Sequence, residues 1–246
     1  METSDYLENL ERSGSALLEY ARSAGADAEV PSCPDWSVER LVTHQSNVHR
    51  WAAEIVGSSR AQPPSAEECD ALFARPDDLN LFRWYELGLG RIIEVLEGAP
   101  PSLDCWTFLA SVSPLAFWTR RQAHETSIHM ADAALAAGGA PTFDPGFAED
   151  GLDELLLGFY GASGTRMAGE PELTLSFHAL DADRRWTIIR NQEGVVVTST
   201  LDAGCLVSGS ASDLYLFAWN RLGDTARLSV DGDSSTIALW RETFRI

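Results

Sequence analysis

Apolar residues recur at a helical period through the first half of the chain. Stretches in which aliphatic and aromatic residues return every three or four positions predict amphipathic helices. These stretches are bounded by residues typical of helix ends, such as a serine or aspartate before the helix and a glycine after it. The predicted helices span residues 6–25, 37–57, 78–98 and 113–138.

A long connection separates the second and third predicted helices. Residues 58–77 contain Pro63, Pro64 and Pro76, which cannot continue a helix, so we expect an irregular crossover there. Asp77 or Asp78 is the expected cap of the third helix. Four helices joined in this way, one of them through a crossover, predict a helical bundle.

The pattern changes after residue 145. A short helix is expected at residues 152–160, after which apolar and polar residues alternate as in half-buried strands. The expected strands are 172–179, 186–190, 195–198 and 227–230, with a helix capped by Ser210 before the last strand and another helix at 234–244. The predicted fold class is α + α/β mixed, a helical bundle at residues 1–141 followed by a small α+β domain at 142–246.

Composition and charge exclude several partners. The formal net charge of -19 argues against nucleic acid and against an anionic membrane surface, because both are bound through clustered basic side chains. The start of the chain lacks a signal-peptide pattern, and no long apolar run follows, so we expect a cytoplasmic protein without a membrane partner. The four cysteines are far apart and predict free thiols.

Two of the predicted helices carry residue types that bind metals. Glu125 and His129 are four residues apart and leave the same face of the fourth helix, and His44 lies in the apolar stripe of the second. Two imidazoles and a carboxylate suit zinc or another divalent metal and leave coordination positions open. Spacing alone leaves a plainer interpretation open, in which the histidines only satisfy hydrogen bonds and the Glu–His pair supports its helix.

Residues near the three candidate ligands carry weaker expectations. His124 lies about 100° round the helix from Glu125, so a supporting or surface position is expected. Asp132, one turn beyond His129, either orients that imidazole or is simply solvated. His49 is expected to face elsewhere, and Arg50 is expected to face solvent.

Two tryptophans and a cysteine are further candidates near the second helix. Trp36 and Trp51 are expected to pack, with Trp51 also a candidate to line the site. Cys33 directly precedes the second helix, a position that can activate a thiol, but we expect it to have a structural role.

Three segments resemble the mycothiol-dependent maleylpyruvate isomerase family. Cys33-Pro-Asp-Trp-Ser-Val-Glu-Arg-Leu-Val-Thr-His44 is similar to one signature of that family, and Phe117-Trp-Thr-Arg-Arg-Gln-Ala-His-Glu-Thr-Ser-Ile-His129 to another. Val207-Ser-Gly-Ser-Ala-Ser-Asp-Leu-Tyr-Leu-Phe-Ala-Trp-Asn-Arg221 resembles its C-terminal domain. The resemblance implies a DinB-like four-helix bundle followed by a sterol-carrier-like domain. Asn220 and Met130 depart from the family, which often has glycine and arginine at these positions.

The resemblance also implies a site and an activity. His44, Glu125 and His129 match the residues that bind the metal, usually zinc, in that family, and Arg221 matches an arginine suited to clamping a substrate carboxylate. The implied cofactor is mycothiol, a low-molecular-weight thiol whose sulfur lies at the metal. In an isomerase the thiolate adds to an enoyl carbon, the resulting single bond rotates, and the thiolate leaves; in an S-transferase it remains on the small electrophilic substrate. A monomer is expected.

Two other functions stay open. In one, the bundle keeps its metal but performs thiol-independent chemistry, as a lyase, hydrolase or cyclase. In the other, the chain is a non-catalytic ligand-binding protein with a vestigial metal site. Intact His44, Glu125 and His129 argue against the second, because an unused site has no physical reason to keep three polar side chains in a bundle interior.

Overall fold

Four long helices form the bundle of the first unit, Met1–Pro141. The computed structural model describes residues 1–163, 169, 172–200, 204–222 and 225–244. The helices of this unit are α1 Thr3–Ala24, α2 Val38–Gly57, α3 Ala66–Phe73, α4 Leu81–Gly98 and α5 Pro114–Ala136. Helix α1 packs against α5 and α2 against α4, and further contacts between α1 and α4 and between α2 and α5 close the bundle.

Helix ends follow local chemistry that is visible in the sequence. The Ser37 side chain accepts a hydrogen bond from the Arg40 amide, and Ser113 accepts one from the amide of Ala116, so both serines cap their helices. Pro114 follows in the first turn of α5, where its missing N–H costs nothing. The start of α4 corrects our expectation: Asn80, and neither Asp77 nor Asp78, accepts the capping hydrogen bond at 2.9 Å.

The crossover at residues 58–77 also differs from expectation, because it contains the short helix α3. The Ser65 side chain accepts from the Glu68 amide, and the Glu68 carboxylate accepts from the Ser65 amide, which forms a capping box. The prolines flank this helix and do not interrupt it. An irregular connection was therefore a wrong prediction for residues 66–73.

The second unit, Thr142–Ile246, combines helices with a mixed sheet. Its elements are α6 Pro145–Asp153, a π-helical segment Glu154–Tyr160, α7 Gly161–Ser163, β1 Leu173–Ala179, β2 Arg184–Asn191, β3 Gly194–Thr198, β4 Cys205–Gly209, α8 Ala211–Ala218, a 3-10 turn Thr225–Arg227, β5 Ser229–Gly232 and α9 Ser235–Thr243. The sheet has the order β3-β2-β1-β4-β5, in which β1 and β4 are parallel and the other neighbours antiparallel. Phe177 of β1 packs edge-on against Phe217 and Trp240, which are 5.7 and 5.3 Å away between ring centroids.

The predicted fold class, a helical unit followed by a small mixed sheet domain, is confirmed. Two details of the second unit are corrected. The first helix begins at Pro145 instead of near residue 152, because the Asp144 side chain caps it. Strand β4 was not predicted; its five residues include both a serine and a glycine, and its pairing between β1 and β5 defines it.

Among the described residues, none of the helices combines the length and the apolar character needed to cross a lipid bilayer.

Candidate metal centre

His44 and the pair Glu125 and His129 come from two helices of the bundle, α2 and α5. Capping by Ser37 sets the start of α2, and His44 follows two turns later with 38% of its side chain exposed. Helix α5 is buried over most of its length, and Glu125 and His129 are one turn apart on it. The contact between α2 and α5 therefore brings together the three predicted ligands.

The three side chains have the spacing of metal ligands. Glu125 Oε1 lies 3.5 Å from His44 Nε2 and 3.4 Å from His129 Nε2. One ligand atom from each residue lies within 4.8 Å of the others. Because zinc ligands lie about 2.0–2.1 Å from the ion, two ligands of one tetrahedral ion are about 3.3 Å apart. The donor set and its spacing fit a divalent metal; metal binding itself stays a prediction.

Arg121 controls the charge of Glu125. Its Nη2 donates a hydrogen bond to Glu125 Oε2 at 2.8 Å, and only 4% of the Arg121 side chain is exposed. Burial of the Glu125 carboxylate opposes its ionisation. The guanidinium of Arg121 and the imidazoles of His129 and His44 outweigh this effect and hold the pKa of Glu125 well below its usual range. The carboxylate is therefore ionised and ready to bind a cation.

Asp132 orients the imidazole of His129. Its Oδ2 lies 2.9 Å from His129 Nδ1, and a carboxylate only accepts, so Nδ1 carries the hydrogen. Burial alone lowers the pKa of His129, but hydrogen bonds to Asp132 and Glu125 outweigh burial and raise that pKa to about 9. Asp132 is fully buried and also accepts from Ser32 Oγ and Cys33 Sγ, which ties it to the loop before α2. The solvated alternative for Asp132 is excluded.

Trp36 forms an aromatic wall beside the two imidazoles. Its ring lies 5.1 Å from the His44 ring and is stacked on the His129 ring at 6.1 Å, with 16° between the planes. The Arg40 guanidinium lies 5.0 Å from the Trp36 ring. Packing of Trp36 was predicted, but its position at the candidate ligands was missed, because the placement of the loop before α2 is not encoded in helical periodicity. Trp51 packs against Trp106 and Trp118.

The other two histidines of the bundle are buried. His124 packs edge-on against Tyr6 of α1 with no exposed surface, so a surface position is excluded. His49 Nε2 lies 2.9 Å from Gln45 Nε2 and 3.0 Å from Thr126 Oγ1. Burial, together with the charge of Arg50, lowers the pKa of His49 to about 3. His49 is therefore a neutral core residue.

Arg50 does not face solvent as expected. It is half-buried between α2 and α4, where its guanidinium carbon lies 3.2 Å from the centroid of the Trp84 ring. Its Nη2 donates to the Trp84 carbonyl at 2.6 Å, and its Nη1 donates to the backbone carbonyl of Ser46. Gly88 makes room for this guanidinium, because a Cβ there would clash with Nη1. Burial lowers the pKa of Arg50 to about 10.

Arg221 lies in the second unit, directly after α8, and its side chain is buried. Its Nη1 donates to the Trp219 carbonyl at 2.6 Å. Asn220 before it has a φ of 60°, a left-handed conformation that glycine adopts freely and asparagine tolerates. A glycine at this position would adopt the same backbone conformation without strain. The role of Arg221 in substrate binding stays a prediction.

Comparison with known proteins agrees with this architecture. The family model for the mycothiol maleylpyruvate isomerase N-terminal domain matches residues 7–134, and the model for the C-terminal domain of the same family matches residues 146–239. A sequence search of curated proteins gives no match.

Two solved structures have a similar fold. They are the mycothiol-dependent maleylpyruvate isomerase, with a TM-score of 0.64, and a histidine-to-alanine mutant of that enzyme, with a TM-score of 0.66. Both are 15% identical to this chain, and each alignment covers 94% of this chain and 93% of the other. At this identity the likeness shows the fold alone, whereas the family models cover most of the chain. The chain belongs to the mycothiol maleylpyruvate isomerase family.

Proposed function

We propose that this protein is a metal-dependent enzyme that uses mycothiol to isomerise a small electrophilic substrate. The observation that carries the proposal is the convergence of His44 Nε2, Glu125 Oε1 and His129 Nε2 within a metal's reach of one another. Family membership supports the thiol and the reaction class. An S-transferase differs only in keeping the thiol on the product.

His44, Glu125 and His129 are the proposed metal ligands. Three protein ligands leave room for a further ligand, which is what a catalytic site needs and a structural site lacks. A divalent ion bound there stabilises the thiolate of mycothiol over the thiol and so supplies a nucleophile at neutral pH.

Asp132 and Trp36 orient and cover the imidazoles of the proposed ligands. Asp132 accepts the hydrogen on Nδ1 of His129, so Nε2, the nitrogen that faces Glu125, is the one that gives up its proton to bind the ion. Trp36 covers one side of both imidazoles and reduces the access of water to them. Both residues therefore act on the ligands before a substrate arrives.

Arg221 is the proposed clamp for a substrate carboxylate. A guanidinium offers paired N–H donors that match the two oxygens of a carboxylate, a match that lysine lacks. Arg221→Lys is therefore expected to raise KM for a carboxylate substrate while the metal content stays unchanged. An unchanged KM would remove this role.

Metal analysis of the purified protein tests the proposed site. The wild-type protein should hold close to one divalent ion per chain, and His44→Ala should hold far less. His178→Ala, which alters a histidine on β1 in the other unit, is the control and should retain the metal. Absence of bound metal from the wild-type protein, after incubation with zinc, would refute the proposal.

The requirement for thiol is tested separately with maleylpyruvate as substrate. Turnover should depend on added mycothiol and should be lost in His44→Ala. If the rate is the same with and without mycothiol, the proposed metal site still stands, but the thiol-independent alternative is favoured.

A further inference from the structure

Arg121 divides the two oxygens of the Glu125 carboxylate between different partners. Nη2 of Arg121 lies 2.8 Å from Oε2, whereas both imidazole nitrogens approach Oε1. We propose that Arg121 is a positioning residue of the metal centre, which leaves only Oε1 of Glu125 for the ion and so keeps a coordination position open for the thiol. This inference rests on the proposed function.

The burial of Arg121 supports a fixed arrangement. With 4% of its side chain exposed, the guanidinium is confined by its neighbours, while 23% of the Glu125 side chain is exposed. Arg91 and Glu94 on α4 form an ordinary surface pair at 3.0 Å, with 57% and 73% of their side chains exposed. Exposed pairs of that kind contribute little to the stability of a helix. A salt bridge that only supports its helix can form at the surface, as Arg91 and Glu94 show, and does not need a buried arginine.

The charge of Arg121 has a second consequence. Two neutral imidazoles and one carboxylate give the ligand set one negative charge, and the guanidinium beside Oε2 compensates it. The ion then keeps more of its attraction for an anionic ligand. Arg121 is therefore expected to strengthen thiolate binding without contacting the thiol.

Replacement of the metal by Co²⁺ makes both effects measurable without turnover. The visible absorption of Co²⁺ is strong in four-coordinate sites and weak in six-coordinate ones, so it reports how Glu125 binds. The variants are Arg121→Met, which removes charge and donor, Arg121→Gln, which keeps a donor, and Arg121→Lys, which keeps the charge. Arg91→Met is the control because it breaks an exposed pair far along the chain from the candidate ligands.

Arg121→Met should bind Co²⁺ with a weaker visible band than the wild type, because the freed Oε2 joins Oε1 on the ion and raises its coordination number. Its affinity for mycothiol should fall about tenfold, and that of Arg121→Lys by less. Arg121→Gln should keep the band and lose thiol affinity, and it replaces Arg121→Met if the latter does not fold. Arg91→Met should match the wild type.

Two results separate this inference from the proposed function. Wild-type spectra and thiol affinities in the Arg121 variants that fold would overturn the role of Arg121 alone, with the metal site intact. A wild-type protein that does not bind Co²⁺ would overturn both.

Discussion

His129 Nδ1 lies 2.9 Å from Asp132 Oδ2, and the Asp132 side chain has no exposed surface. The pair is three residues apart on α5, so the helix itself sets the contact. A buried carboxylate that accepts from the remote nitrogen of a metal-binding histidine fixes the tautomer and the ring orientation and increases the basicity of the ligand.

Replacement of Asp132 by asparagine should weaken metal binding. The amide keeps the shape but removes the charge, so the affinity for zinc should fall about ten- to a hundredfold. Competition with a chelator at pH 9 measures the affinity where proton competition is smallest. Asp70→Asn, on the exposed face of α3, is the control and should keep the wild-type affinity. Equal affinities in the wild type and Asp132→Asn would show that the hydrogen bond does not support the ligand.

Metal affinity should rise with pH between 7 and 8. The pKa of His129 is raised to about 9 in the metal-free protein, so below that pH a proton on Nε2 must leave before the ion binds. The pKa of Glu125 is held well below its usual range, so its carboxylate does not compete for protons. Each pH unit should therefore increase the apparent affinity about tenfold.

Chelator competition at pH 7 and pH 8 measures this dependence. Asp132→Asn should show a smaller rise, because the hydrogen bond to Asp132 contributes most to raising the pKa of His129. Affinity that does not change between the two pH values would show that His129 is already neutral at pH 7.

The long helices and the candidate ligands could be predicted from the sequence because the patterns that indicate them lie within single helices. The spacing of Glu125 and His129 follows from one helical turn, and the stripe of α2 aligned His44 with the bundle. Arg121 was missed, although it lies one turn before Glu125, because periodicity does not tell whether an arginine points inward or to solvent. Trp36 lies in a loop whose position depends on tertiary contacts such as those of Asp132.

The wrong predictions for the second unit also arise from signals that the apolar pattern does not contain. Strand β4 pairs with β1, whose residues precede it by about thirty positions, so its identity depends on partners distant in sequence. The early start of α6 was a local signal, Asp144 followed by Pro145, that the apolar pattern did not include. Local capping signals were only partly predictable: the Ser210 cap was predicted correctly, whereas Asn80 was not identified as the cap of α4.

His49 should make the protein less stable in acid. Its pKa is lowered to about 3 in the folded protein from an ordinary value of 6.5. The unfolded chain therefore binds a proton that the folded chain rejects, so stability is full above pH 6.5 and falls as the pH decreases below it. From pH 7.5 to pH 5 this single group should cost about 2 kcal/mol of the free energy of unfolding.

Urea unfolding of the metal-free protein and of His49→Gln at both pH values tests this effect. The glutamine variant does not titrate, so its loss of stability between pH 7.5 and pH 5 should be about 2 kcal/mol smaller than that of the wild type. Equal losses would mean that His49 accepts a proton in the folded protein.

The close approach of α1 and α4 depends on Gly14. A Cβ added there would lie 2.5 Å from Leu89 Cδ2, whereas a Cβ at Gly90, on the exposed face of α4, meets nothing within 4 Å. The Tyr85 hydroxyl also donates to the Gly14 carbonyl at 3.0 Å, which ties the two helices at this point. Gly14→Ala should therefore force the helices or Leu89 to shift and should lower the free energy of unfolding by about 1–2 kcal/mol. Gly90→Ala should raise it by about 0.5–1 kcal/mol, because alanine is the better helix former. Urea unfolding of both variants measures the difference, and a Gly14→Ala protein as stable as Gly90→Ala would show that the helix contact is not tight at this position.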